Sequence, residues 1–318
     1  MKKRDKKKLL NLIIVLVIIL GSYIYTNYFE KEDINKSTTS VEQTINVSSD
    51  NLKIYFLDVG QADSILISKG NEYALIDAGN NGDGQLLVQY FKSLGITKLN
   101  YVIGTHAHED HIGGMDDIIN NFSIEKFYMP NAITTTKSFE DVLDALDAHQ
   151  VKFETPKIND EFSLNDANFQ VLHVGTNKND LNETSIVLRL TYKNTSYLFM
   201  GDAPTSVEND IMSENIKSDV LKVGHHGSQY STSDTFLKKV NPKYAIIEVG
   251  KNNIYNHPKE VTLNKLKKAG VQVYRTDLDG TILLTSDGRN YNFEKIKTNT
   301  NGDQLWIVNN FFSKKWKI

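Results

Sequence analysis

The alternation of apolar and polar positions divides the chain into unequal parts. Residues 9–29, LLNLIIVLVIILGSYIYTNYF, hold no charged side chain, which matches the ~20 apolar residues a helix needs to cross a bilayer. Residues 30–50 are polar with no apolar period, the pattern of a flexible linker. From Leu52 onward KIYFLD, SILIS and YALID are short strand-like runs parted by turn residues. Residues 85–94 have helical spacing and stop at Gly95, and NYVIG then reads as a buried strand. FQVLHV, SIVLRLTY and SYLFM continue as strands, with helical spacing over 138–149. The last third changes rhythm: DVLKVG, a helix around 232–240, KYAIIEVG, a helix over 258–269 and VQVYRTD alternate strand with helix, which places strands under helices. The predicted architecture is α/β, with two mixed sheets face to face and helices outside. That is an αββα sandwich, in one domain at 51–295, without tandem repeats. The remaining residues, 296–318, include LWIVNNFF, a run that fits an added edge strand or a contact with a partner.

Composition is that of a folded globular protein: 40% of the 318 residues are hydrophobic and 24% charged, enough for a sizeable core. The absence of cysteine changes the picture more. It excludes thiolate zinc sites, disulfides and cysteine nucleophiles, and leaves His, Asp and Glu as the strong metal ligands. Charge adds a direction at the N-terminus. MKKRDKKK puts six basic residues against Asp5 immediately before the charge-free run, and Gly21-Ser22-Tyr23-Ile24-Tyr25 supplies no small-x-small cleavage site. The prediction is a single-pass transmembrane helix that keeps 1–8 in the cytoplasm and the domain outside, at the cell membrane. The whole chain carries −3; with +5 on residues 1–8 the remainder carries −8, no general invitation to nucleic acid. Within 217–275, however, eleven Lys or Arg face only Asp219, Asp234, Glu248 and Glu260. Such a surplus fits phosphate attraction or lysines on solvated helix faces.

Candidate chemistry concentrates at 104–114, GTHAHEDHIGG. His106 and His108, two apart on an extended loop, can point into one cleft, and Asp110 with His111 can furnish a neighbouring position. Imidazole nitrogens and carboxylate oxygens suit Zn2+, Mn2+ or Fe2+, so the spacing outlines a two-metal site. Gly113 and Gly114 let the loop turn into a helix without steric penalty. Asp202, after a strand in YLFMGDA, reads by itself as a helix cap, and His257 before Pro258 as the start of a helix. His149 and His173 match no motif and read as structural.

THAHEDHIGG resembles the HxHxDH signature of the metallo-β-lactamase superfamily. IYFLDVGQADSILI, THAHEDHIGG, NETSIVLRL, YLFMGDA, LKVGHHGS, NHP and VYRTDLDGTI resemble, in that order, the soluble hydrolase domain of the ComEC family of DNA-uptake channels, over most of 52–285. The resemblance implies a metal set of His106, His108, Asp110, His111, Asp202 and His225, with Asp202 bridging two divalent ions, Zn2+ or Mn2+, and His225 on the second. It implies Asp58 as the buried acid that orders the metal loop, and Gln61, Asp63 and Asn182 as substrate-binding or supporting residues. Asp110, His226 and His257 form the catalytic set, His257 giving a proton to a leaving oxygen. Two departures stand out. The superfamily's further histidine before the bridging aspartate has no clear counterpart, since His173 lies in a strand-like run and Asp180 and Asn182 are better placed. Ala62 stands where the family usually has Gly.

A hydroxide bridging two ions is a nucleophile near neutral pH, because coordination lowers the pKa of water to about 7. The implied function is a membrane-anchored phosphodiesterase or nuclease acting on DNA outside the cytoplasm. ComEC joins such a domain to a multi-helix channel, whereas this chain has a single apolar run. The resemblance therefore carries the hydrolase, and uptake falls to a separate partner. Competing readings are a surface phosphodiesterase on cell-wall polymers, similar to the phosphorylcholine esterases of the same superfamily, and a β-lactamase, which the missing histidine disfavours. A binding module with this fold and no metals is the third, against which the full ligand set argues.

Overall fold

The computed structural model describes residues 50–132, 134–176 and 179–296. The predicted transmembrane helix, the linker up to residue 49 and the tail from residue 297 lie outside the described residues. Among the described residues no helix is long and apolar enough to cross a membrane.

Among these residues fifteen strands make two sheets. The first joins β1 (Leu52–Phe56), β2 (Ile65–Lys69), β3 (Glu72–Ile76), β4 (Lys98–Ile103), β5 (Ser123–Tyr128) and β6 (Phe153–Glu154) in that order. The second runs β7 (Glu161–Leu164), β8 (Ala167–His173), β9 (Val187–Tyr192), β10 (Thr195–Phe199), β11 (Val220–Lys222), β12 (Tyr244–Ile247) and β13 (Gln272–Arg275), each beside its sequence neighbour. The chain then returns to the first sheet, where β14 (Thr281–Ser286) pairs with β1 and β15 (Tyr291–Ile296) with β14. Strands β3 to β6 are parallel to one another, as are β10 to β13; the other pairings are antiparallel.

Period-two alternation decides what each strand buries. Ile54 and Phe56 turn toward the second sheet and pack with Phe169, Leu188, Tyr197 and Phe199. Tyr55 between them turns outward, edge-on to Tyr90. Over that outer face lie α1 (Gly84–Ser93), α2 (Glu109–Ile112), α3 (Met115–Asn121) and α4 (Lys137–Ala148), burying Phe91, Ile112, Ile118 and Val142 with Leu66, Leu75 and Val102. On the second sheet α5 (Thr205–Asp210), α6 (Asp234–Val240), α7 (Glu260–Lys268) and α8 (Thr276–Asp279) follow the strands, and Val207, Phe236, Val240 and Leu266 pack with Leu198, Leu221 and Ile247. Each fully buried side chain of this size contributes about 2 kcal/mol. The predicted αββα sandwich is present, because both faces of each sheet are apolar and each has to be covered. The apolar pattern does not mark β5 (SIEKFY) or β7 (EFSL), whose polar residues obscure the alternation. Nor does it mark β14 (TILLTS), all six residues of which are buried, because a short run buried on both sides has no period to read.

Candidate metal centre

Five loops converge, each following the C-terminal end of a strand in a parallel pair, the place where open α/β sheets build ligand sites. Asp77 follows β3, residues 104–111 follow β4, Asp202 follows β10, His225 and His226 follow β11, and Glu248 follows β12. Thr105 is where the two sheets meet: its carbonyl accepts from Ile186 N at 2.9 Å.

The metal loop hangs on Asp77. Thr105 N and Oγ1 donate to its two oxygens at 2.8 and 2.7 Å, and His111 Nδ1 lies 2.8 Å from Oδ2. The Asp77 carboxylate accepts here, so Nδ1 of His111 carries the proton and Nε2 turns its lone pair to the cleft, the tautomer a metal ligand needs. His106 Nδ1, 3.2 Å from Thr105 Oγ1, donates to that oxygen because the hydroxyl proton is committed to Asp77; His106 Nε2 then faces His108 Nδ1 at 2.9 Å. Gly113 is required by close approach rather than by a turn. Its φ is −59°, and a Cβ would run into the backbone of Asn80 and Asn81.

Asp202, 2% exposed, follows Gly201, whose φ of +52° and close packing on Thr105 would strain any side chain. Asp202 Oδ1 lies 3.3 Å from His111 Nε2, and Oδ2 lies 3.6 Å from His225 Nε2 and 3.7 Å from His226 Nε2. His225 and His226 both adopt left-handed backbone, φ 50°, which costs about 1–2 kcal/mol per non-glycine residue and clusters at functional sites. The two rings diverge. His226 is buried, with Nδ1 2.9 Å from Glu248 O, so Nε2 faces the cleft 3.4 Å from Asp110 Oδ2. His225 keeps 27% of its side chain exposed and stands at the mouth beside His257, ring centroids 5.6 Å apart.

The residues present fit a divalent cation. Asp110, His111, Asp202 and His226 each offer a ligand atom, all within 4.8 Å of one another. Of these atoms His111 Nε2, Asp202 Oδ1 and His226 Nε2 are buried, with no hydrogen-bond partner among the described residues. Unpaired buried polar groups cost about 1–3 kcal/mol each, and one cation satisfies all three. Electrostatics agree. Burial opposes charge on His111 and His226, yet the carboxylates outweigh it: Asp202 and Asp77 hold His111 well above the usual imidazole range, and Asp202 and Asp63 bring His226 to about 10. A pocket that holds protons so firmly is one in which a metal ion displaces them. Burial and the neighbouring histidines lower His106 and His108 instead, which makes them neutral donors at pH 7. Asn182 Oδ1 is also buried and unpartnered. It sits in the turn Leu181–Thr184, which Asp202 N, donating to Ser185 Oγ at 3.3 Å, holds beside the metal loop.

The set inferred from sequence is thus brought together, with the histidine pair in a different order. His226, given to catalysis, belongs to the four-residue group; His225, given to the metal, stands at the mouth. The ordering role assigned to Asp58 falls to Asp77 and Asp63, and Asp58 N donates to Thr281 Oγ1. Gln61 Oε1 accepts from Gly250 N at the rim of the cleft, 3.2 Å away. His173 is structural, its Nδ1 2.9 Å from Ser185 O.

Beneath the ligands lies a charge network that motif reading passes over. Asp63 and Lys222, each 1% exposed, pair at 2.5 Å, and the other Asp63 oxygen lies 3.3 Å from His226 Nδ1. Burial pushes both toward neutrality, but attraction wins: Asp63 titrates below its usual 3.8 and Lys222 above its usual 10.5. Fully buried Glu248 is left over. Burial and the Asp63 charge raise its pKa well above 4.5, and it accepts from Ser64 N at 3.1 Å as a neutral acid. Because the folded value exceeds the unfolded one, the stability Glu248 contributes is complete below pH 4.5 and is lost as the pH rises past it. Glu248→Gln keeps the acceptor and removes the titration. Its urea midpoint is expected near wild type in acid and above wild type in alkaline buffer; a lower midpoint throughout would mean that Glu248 is ionised. Asp77, Lys222 and Glu248 do leave a signal, a charge at the end of an apolar strand run in YALID, DVLKVG and KYAIIEVG.

The cations of 217–275 do not gather at the cleft. Helices α6 and α7 run back from the site, so Lys238, Lys239, Lys267 and Lys268 in their last turns lie at the opposite end of the sheet, where Lys243 pairs with Asp219 at 3.0 Å. Lys251 and Lys259 follow the cleft-side end of β12 and Arg275 ends β13, where it is tied to Asp277 at 2.6 Å.

The family model described as Metallo-beta-lactamase superfamily matches residues 57–250. The chain is similar to ComE operon protein 3 of Bacillus subtilis, 32% identical over 252 residues that cover 72% of this chain and 32% of that protein. It is similar to Competence protein ComA of Neisseria gonorrhoeae, 30% identical over 230 residues, 71% of this chain and 31% of that protein. It therefore spans about a third of the length of the curated relatives it matches. The crystal structure of the metallo-beta-lactamase fold protein YhfI from Bacillus subtilis superposes with a TM-score of 0.53 at 13% identity, over 74% of this chain and 100% of that one, which shows the shared fold.

Proposed function

The chain belongs to the metallo-β-lactamase superfamily, and on that premise we propose that it is a metal-dependent phosphodiesterase that cleaves DNA. The observation that carries this reading is the convergence of Asp110, His111, Asp202 and His226 from two sheets onto one point. Divalent cations there, Zn2+ or Mn2+, one on that group and one beside His106, His108 and Asn182, would bring the pKa of water to about 7 and neutralise charge on phosphoryl oxygens. The chain's own residues orient and position. Asp77 and the Glu248 carbonyl fix the tautomers of His111 and His226, and Asp202 faces the histidines of both sheets. His257 stands at the mouth as a neutral ring, since burial and the charges of His225 and His226 lower its pKa to about 4. At neutral pH it offers a leaving oxygen a hydrogen bond from its N–H.

Competence in the name of one relative and recombination in that of another, Recombination protein 2 of Haemophilus influenzae, favour DNA. Residues 9–29 behind their lysine block favour a membrane anchor with the domain on the outer side, where a DNA-uptake protein is the fitting partner.

The test loads the purified protein with Mn2+ or Zn2+ and offers DNA, teichoic acid, bis-p-nitrophenyl phosphate and nitrocefin. DNA is expected to be cut, and Asp110→Ala to cut it about a thousandfold more slowly or worse, because the charge stabilisation it helps to hold amounts to several kcal/mol. Undiminished cleavage by Asp110→Ala would remove the mechanism, and turnover of teichoic acid in place of DNA would change the substrate.

A further inference from the structure

A line of rings leads outward from the centre. His225, 3.6 Å from Asp202, lies edge-to-face with His257 at 5.6 Å, and His257 lies nearly parallel to Tyr255 at 5.8 Å and 25°. Tyr255 is 55% exposed and its neighbour Ile254 is 87% exposed. An aromatic face and its apolar neighbour thus stand in water beside the histidines of the site. Their loop is braced. Asn253 Nδ2 donates to Gly250 O and His257 O at 2.9 and 2.7 Å, and its Oδ1 accepts from His257 N at 3.0 Å. Lys259 N donates to Gly227 O at 2.9 Å, which seats the loop on the turn that carries His225 and His226. Lys251 and Lys259, which pair with no carboxylate among the described residues, flank this segment, and Lys259 Nζ donates to Tyr255 O at 2.7 Å.

Resting on the DNA reading, we propose that Tyr255, stacked on His257, is a subsite that stacks the nucleobase next to the scissile phosphate, with Lys251 and Lys259 attracting the flanking phosphates. An aromatic face accepts any base, so the subsite tolerates sequence. An exposed aromatic also attracts a quaternary ammonium such as choline, but two ammonium groups on the same loop repel that ligand and favour the anion.

The test compares a single-stranded oligodeoxynucleotide with an abasic strand of the same length, under wild type, Tyr255→Ala and Tyr255→Trp. Wild type is expected to show a KM about 5- to 150-fold lower for the base-bearing strand, from about 1–3 kcal/mol of stacking per base. Tyr255→Ala loses that preference and Tyr255→Trp keeps it, with metal content and circular dichroism unchanged in both. A preference that survives in Tyr255→Ala, or none in wild type, overturns the subsite while DNA cleavage stands. Inhibition by phosphorylcholine that depends on Tyr255, without discrimination between the strands, overturns it in favour of a choline ligand. A wild type that cuts neither strand in either metal overturns the DNA reading and the subsite together.

Discussion

Asp202→Ala is expected to retain little of the bound divalent metal and to hydrolyse substrate about a thousandfold more slowly or worse, with unchanged far-UV circular dichroism. The expectation follows from geometry. Asp202 is the side chain whose two oxygens face His111 from the first sheet and His225 and His226 from the second, at 3.3 to 3.7 Å, so without it the group loses the carboxylate that faces the histidines of both halves. Charge stabilisation by the metal is worth several kcal/mol, and each 1.36 kcal/mol is tenfold in rate. The histidine pair sharpens the test. His226→Ala is expected to lose metal nearly as fully, because its buried Nε2 belongs to the four-residue group, whereas His225→Ala, at a partly exposed position at the mouth, keeps most of it. Metal stoichiometry by mass spectrometry after dialysis decides the order, and greater loss from His225→Ala would reverse the assignment.

The second large effect lies under the site. Lys222→Met is expected to destabilise the fold by about 3–5 kcal/mol, the cost of stranding one member of a buried ion pair, read as a lower urea midpoint at neutral pH. Asp63 is that member, fully buried and held below its usual pKa because Lys222 and His226 outweigh the effect of burial. A depressed folded pKa means that the pair's contribution is present above pH 3.8 and is lost as the pH falls through the folded value. The gap between wild type and variant therefore narrows in strong acid. Adding Asp63→Asn to Lys222→Met removes the stranded charge and restores most of the midpoint. If the double variant is no more stable than the single one, Lys222 acts through packing alone.

Much of the fold is legible along the chain. Runs such as KIYFLD and SYLFM announce strands because alternate side chains must leave on opposite faces, and 85–94 announces a helix that ends at a glycine. Strands β5 and β7 stay hidden because polar residues interrupt their alternation, and β14 because its burial depends on a neighbour from elsewhere, β1, more than two hundred residues earlier in the chain. The metal loop is legible for a local reason. His106 and His108 sit on the loop after a strand, and Asp110 and His111 in the short helix that follows at once, so covalent geometry alone keeps them together.

Sequence alone thus determined which residue types the site holds, where its loops begin, and that no thiolate takes part. Tertiary structure decided the rest. That His226 turns inward and His225 outward depends on two left-handed residues and on the carbonyl of Glu248, 22 positions away. That Asp63 and Asp77 steady the ligands depends on which carboxylates two separate sheets bury beside the same imidazoles. The physical reason is common to both. Burial and charge pairing act between side chains brought close by the packing of two sheets, and a linear pattern records the side chains without recording that closeness.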